Sequence, residues 1–160
     1  MNNDPFELLR KSKLAAELTE EQCHTLVPLI EVREYQEGDV LVQERSTDDH
    51  LYVLVSGTLS IIKRFGTSEQ ALLNTITADN FAGELGFMDD TERYASLVAT
   101  EPSVVFRLKR GNLESLLDTD PIIVYRVMRS VLRVAHQIQH RQAIQHQELT
   151  NYLYKQQGRY

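Results

Sequence analysis

The chain has 160 residues, a net charge of −6, 42% hydrophobic and 25% charged residues, and only 4 prolines and 7 glycines. That suits one domain with a proper core and excludes collagen-like, low-complexity or linker-rich architectures. The acidic balance leaves no basic footprint for nucleic acid, and a lone Cys23 excludes an internal disulfide or a cysteine-ligated cluster.

The opening Met-Asn-Asn-Asp-Pro lacks the charged and apolar regions of a signal peptide. No apolar run approaches the ~18 residues that a membrane span needs. The expectation is a cytoplasmic protein with no membrane partner, folded as a single unit over 1–160. Residues 1–30 read as helices. Thr19-Glu20-Glu21-Gln22 has capping-box spacing with acidic residues in the first turn, and Pro28 should end or kink that helix. Cys23 sits among mixed apolar residues, which favours packing over reactivity.

Over 31–110 the period switches to short segments rich in Val, Leu, Ile, Tyr and Phe. Turn signals separate them at Glu37-Gly38-Asp39, Ser46-Thr47-Asp48-Asp49, Ser56-Gly57, Phe65-Gly66-Thr67-Ser68, Ala78-Asp79-Asn80 and Glu101-Pro102. About eight such strands indicate an antiparallel sandwich or barrel. Residues 111–160 then read as helices. Gly111-Asn112 begins the change, Leu113, Leu116 and Leu117 give a short amphipathic turn, and Asp120-Pro121 makes a good helix start.

From Ile122 to about Tyr154 there is no glycine or proline, so one long helix is expected. Val124, Met128, Val131, Ala135, Ile138, Gln142, Gln145, Leu149 and Tyr152 recur at alternating four- and three-residue steps, a heptad seam. That seam predicts a parallel homodimer; the competing reading folds the helix back on its own domain, with Gln142 and Gln145 marking where solvent begins. His136 and His140 stand four apart, but two ligands do not make a metal site, and surface histidines are expected. Only His50 falls in the strand region, so the pattern of a metal-dependent barrel enzyme, or of a nucleophile and its base, is missing. No enzyme, cofactor or metal is expected.

Residues 81–96 carry the most chemistry. Gly83-Glu84-Leu85-Gly86 opens one helical turn, and Arg93 follows nine residues after the glutamate. Amides at a helical start bind anions, glycine lets a ligand approach the backbone, and an arginine fork suits two phosphate oxygens. Glu84 has the chemistry to accept a hydrogen bond from a sugar hydroxyl. The bland alternative is an internal Glu84–Arg93 ion pair pinning two loops.

Gly83-Glu84-Leu85, with Arg93 and Tyr94-Ala95-Ser96, resembles the phosphate-binding cassette of cyclic nucleotide-binding domains. Those domains occur in catabolite activator protein-type regulators and in regulatory subunits of cyclic-AMP-dependent protein kinase. Tyr35 to Leu41 is similar to the family's turn-and-strand opening, and His50 to Leu59 to its central hairpin. The resemblance implies an α+β fold: an antiparallel jelly-roll β-barrel with N-terminal helices and a long C-terminal helix. It implies a cyclic nucleotide ligand, cyclic AMP first and cyclic GMP beside it, held by Gly83, Glu84, Leu85, Gly86, Arg93, Tyr94 and Ala95. Ile138 and Gln139 are the implied base cap, and the dimer through the long helix is implied as well.

The chain departs from the family's pattern at Tyr94, where relatives have a small residue, and at Arg45, where they often have a loop glycine. Glu92 adjoins Arg93 as a competitor for its charge. No helix-turn-helix follows the long helix, so no direct DNA binding is expected. The functional expectation is a stand-alone sensor acting through a partner protein or dimer. Its rival is a nucleotide-free barrel, with Tyr94 filling the site, that serves protein interaction.

Overall fold

Asp4 opens the first helix by accepting from the Phe6 N–H at 3.3 Å, with Pro5 in the first helical position of α1 (Pro5–Lys11). A 3₁₀ turn follows at Lys13–Ala15. At the start of α2 (Glu20–Leu26) the capping box closes both ways. Gln22 N–H donates to Thr19 Oγ1 at 3.2 Å, and Thr19 N–H donates to Gln22 Oε1 at 3.0 Å. Pro28 then sits in a 3₁₀ turn, Val27–Leu29, directly after α2 ends. The computed structural model describes residues 3–158; positions 1, 2, 159 and 160 of the expected 1–160 unit lie outside them.

Eight strands follow: β1 (Ile30–Tyr35), β2 (Val40–Val42), β3 (His50–Ser56), β4 (Leu59–Lys63), β5 (Ala71–Ile76), β6 (Phe81–Ala82), β7 (Ser96–Ala99) and β8 (Ser103–Lys109). All their pairings are antiparallel. They form two four-stranded sheets, ordered β1-β8-β3-β6 and β2-β7-β4-β5. This matches the expected antiparallel jelly roll, but the sheets do not close into a barrel. β2 has three residues and β6 two, and each pairs on one side only. Strands that short cannot carry a ladder around both corners.

In the first sheet, β3 is buried on both faces. Along β3, Leu51 and Val53 face a core shared with the helices, while Tyr52 and Leu54 face the second sheet. That is why its run His-Leu-Tyr-Val-Leu-Val lacks polar alternation. Gly57 (φ 90°) turns β3 into β4 against β8; a Cβ there would lie 2.2 Å from Ser103 Oγ.

After β8 come α4 (Arg110–Glu114) and α5 (Pro121–Gln157), 37 residues and about 55 Å long. Ile123, Val124, Val127, Val131 and Val134 are buried in the helical core, with Met128 and Ile138 packed against it. Arg129 and Arg133 share Glu17 at 3.4 and 3.3 Å. So the first half of the expected seam is covered by its own domain, and Gln142, Gln145, Leu149 and Tyr152 lie in the exposed half. A separate stripe, Ile122, Tyr125 and Leu132, is 57–63% exposed along the packed half. Among the described residues no helix is long and apolar enough to cross a membrane.

Candidate functional site

β6 runs into Gly83, whose φ of 80° lies in the left-handed region and turns the chain into α3 (Glu84–Met88). Phe87, fully buried, anchors that short helix in the core. Arg93 arrives from the other side, held by its backbone. Its N–H donates to Ser46 O at 2.9 Å and its carbonyl accepts from Arg45 N–H at 2.7 Å. Arg45, standing where a loop glycine was the family expectation, takes a glycine-like φ of 67°.

The Arg93 side chain lies flat against α3. A Cβ on Gly86 would sit 2.4 Å from its Cζ, so only glycine permits this approach. Nη1 donates to Gly83 O at 2.9 Å and Nη2 to His50 O at 3.0 Å. The residue is 9% exposed, and its Nε is buried with no partner. Two of the five guanidinium N–H groups are thus used, and both by neutral carbonyls. No carboxylate reaches ion-pair distance of it among the described residues. The Glu84–Arg93 pair weighed from sequence does not form, and Glu92 does not compete. A buried cation ordinarily has a paired anion.

Burial pushes the Glu84 carboxyl above the usual range, against the pull of its own backbone N–H and of the Arg93 charge. Gly83, Glu84, Leu85, Gly86, Arg93, Tyr94 and Ala95 all line one hollow of about 120 Å³. Tyr94 forms part of its wall with 59% of the residue exposed. Lys63 Nζ, paired with Glu44 at 2.7 Å, donates to the Tyr94 carbonyl at 2.6 Å. Glu92, Ser96 and Leu97 line it too, together with Val42, Ile61 and Thr91. Sequence reasoning missed Lys63, Val42, Ile61 and Thr91. They come from β2, β4 and a loop, and nothing in their spacing marks them.

A second cavity, about 570 Å³, lies between α3 and α5 and shares Glu84 and Leu85 with the first. Gln139 lines it together with Met88, Arg129, Leu132, Arg133 and His136, whereas Ile138 packs against the core. Of the expected base-capping pair, then, only Gln139 stands beside a cavity, and neither residue lines the hollow under Arg93.

Behind the hollow, His50 Nδ1 bonds Asp48 Oδ1 at 2.7 Å and lies 3.5 Å from Asp49, while the Tyr52 hydroxyl donates to Asp48 Oδ2. Burial and that carboxylate push the Tyr52 hydroxyl far above the ordinary tyrosine range. Asp48, Asp49 and His50 bring three possible metal-ligand atoms within 4.8 Å of one another, a grouping the sequence reading overlooked. Arg110, at the start of α4, pairs with Asp90 just beyond α3.

The sequence profile of the cyclic nucleotide-binding domain matches residues 32–120, more than half of the chain, and the chain belongs to that family. Among individual proteins it is similar to a cGMP-dependent protein kinase of Plasmodium berghei, 26% identical over 61% of this chain and 11% of that protein. It is likewise similar to a cAMP-dependent protein kinase regulatory subunit of Yarrowia lipolytica, 26% identical over 65% of this chain and 26% of that one. The chain therefore spans only about a tenth to a quarter of these relatives. A solved cyclic nucleotide-binding domain from Methylobacillus flagellatus superposes with a TM-score of 0.73 at 23% identity, covering 85% of this chain and 76% of that one. That likeness establishes the fold.

Proposed function

We propose that this chain is a regulatory sensor module that binds a cyclic purine nucleotide, with its ring phosphate on Arg93. The observation that carries the reading is the buried Arg93 guanidinium, which lines the hollow and has no carboxylate at ion-pair distance among the described residues. An anion supplied from outside completes the pairing that the fold leaves open. The amides of the first α3 turn have no carbonyl one turn back within that helix and face the same anion. Glu84, acceptor-only when ionised, takes the ribose hydroxyl. Tyr94 forms a wall of the hollow and does not fill it, which weighs against the nucleotide-free reading. The names of its relatives divide between cyclic GMP and cyclic AMP, so the fold-level likeness supports the ligand class, cyclic AMP included.

The output belongs to α5. Leu85 and Met88 of the cassette line a cavity with α5, so a ligand that shifts α3 favours one position of α5 over another. The dimer reading moves to a different face: Ile122, Tyr125 and Leu132, exposed along the packed half of α5, present the stripe for a second copy or a partner protein. The chemistry needs no catalysis. Calorimetry with cyclic AMP and cyclic GMP tests the reading. Micromolar or tighter binding that Arg93→Ala abolishes is expected, and silence with both nucleotides removes it.

A further inference from the structure

We infer that Asp48 is a positioning residue for Arg93: its carboxylate fixes the segment 45–50, on which both the backbone and the guanidinium of Arg93 hang. This rests on the nucleotide reading above. Among the described residues four hydrogen bonds place Arg93, and three of them end on that segment. Its N–H donates to Ser46 O at 2.9 Å, its carbonyl accepts from Arg45 N–H at 2.7 Å, and Nη2 donates to His50 O at 3.0 Å. Nη1 alone goes elsewhere, to Gly83 O. Residues 45–49 lie between β2 and β3, outside any strand or helix, and Arg45 holds a φ of 67°, an unfavourable one for any residue with a side chain. Such a segment keeps one shape only if its surroundings impose it.

Asp48 imposes it from within. Its Oδ1 accepts from the His50 N–H at 3.1 Å, closing an Asx-type turn, and bonds His50 Nδ1 at 2.7 Å. Its Oδ2 accepts from the Tyr52 hydroxyl. Tyr52 is 1% exposed and stands in register between Arg107 of β8 and Ala82 of β6, so that hydroxyl is a fixed post. Burial pushes the Asp48 carboxyl up, but hydrogen bonds from Tyr52 and His50 outweigh it and hold the group below the usual range, as an ionised acceptor. The chain of support is short: Tyr52 holds Asp48, Asp48 holds the segment, and the segment holds the guanidinium against α3. Asp48 does not line the hollow. It acts by removing, in advance, freedom that Arg93 would otherwise lose on meeting an anion.

Nitrogen-15 NMR of the arginine side chains in the ligand-free full chain reads that hold directly. Wild-type Arg93 should show separate, slowly exchanging Nη signals, and in Asp48→Ala they should merge. The same variant should bind cyclic AMP and cyclic GMP about tenfold more weakly, the scale of one hydrogen bond to a charged group. Asp48→Asn keeps an acceptor oxygen and should recover part of both. Tyr52→Phe, which deletes only the hydroxyl, should move both in the same direction by less, and it decides the matter if Asp48→Ala folds poorly. A role confined to closing the sheet would lower the melting temperature and leave the Arg93 signals and the affinity, measured well below melting, where they were. Nη signals merged already in the wild type or unchanged in the variants, or unchanged affinity in a protein that binds, overturn the inference and leave the sensor reading standing. A wild type that binds neither nucleotide removes the sensor reading, and the NMR signals alone then decide whether Asp48 holds Arg93.

Discussion

The β1–β8 pair and the cassette each hold an arginine against a sheet, and they treat its charge in opposite ways. On β8, Arg107 meets Glu31 twice, through Nε and Nη2, both at 2.7 Å. Its partner carboxyl is held below the ordinary glutamate range by hydrogen bonds from Arg33 and Arg107. In the cassette, Arg93 is more deeply buried yet has only carbonyls, and burial drives the neighbouring Glu84 the other way. The first arrangement is complete within the fold. The second uses burial and two glycines to position a charge it leaves open, the arrangement that the proposed ligand site requires.

The largest break in this contrast is Arg93→Ala. It should weaken cyclic nucleotide binding by at least about a hundredfold in calorimetry, since it removes one partner of a buried charged contact. Unfolding of the ligand-free protein should change little by comparison. Gly86→Ala comes next. Its methyl would occupy the space of Arg93 Cζ, and overpacking of about 1–3 kcal/mol should appear both as weaker binding and as a lower melting temperature. A variant that binds like the wild type would show that the guanidinium need not lie against α3.

Glu84→Gln sharpens the comparison through pH. A carboxyl whose folded value is raised contributes stability below its unfolded value, and loses that contribution as pH rises through the folded value. At pH 7 the ligand-free glutamine variant should therefore melt higher, by about 1–2 °C, while binding ribose nucleotides more weakly. Thermal scans from pH 4 to 7 should show the gap opening as pH rises. Arg107→Ala has the smallest effect and the opposite sign. Glu31 contributes stability above its unfolded value and loses it as pH falls through the depressed folded one. The half-exposed carboxyl keeps the loss below about 1 kcal/mol at pH 7, shrinking in acid, with nucleotide affinity unchanged.

Much of this fold was legible from local chemistry. The reciprocal Thr19–Gln22 cap, the turn glycines and the helix start at Pro121 are all decided by neighbours in the chain. That Gly83 to Gly86 and Arg93 gather around one hollow was legible too, because they lie within one short segment. What the sequence concealed is settled through space. α5 carries two apolar stripes, Val124 to Ile138 and Ile122 to Leu132, and periodicity alone does not say which one its own domain covers. Closure of the barrel failed on the lengths of β2 and β6, which hydrophobic pattern does not fix. Asp48, His50 and Tyr52 looked like a turn and a strand, and the contact between Asp90 and Arg110 spans 20 residues. Neither network leaves a periodic trace.

Cys23 is 1% exposed, and burial pushes its thiol above the usual range, so the protein's one sulfhydryl is shielded from modifying reagents. A single cysteine introduced on the exposed half of α5 would therefore accept a fluorophore or spin label by itself, with no native residue to remove. The far end of the rod becomes a clean reporter of what happens at its root.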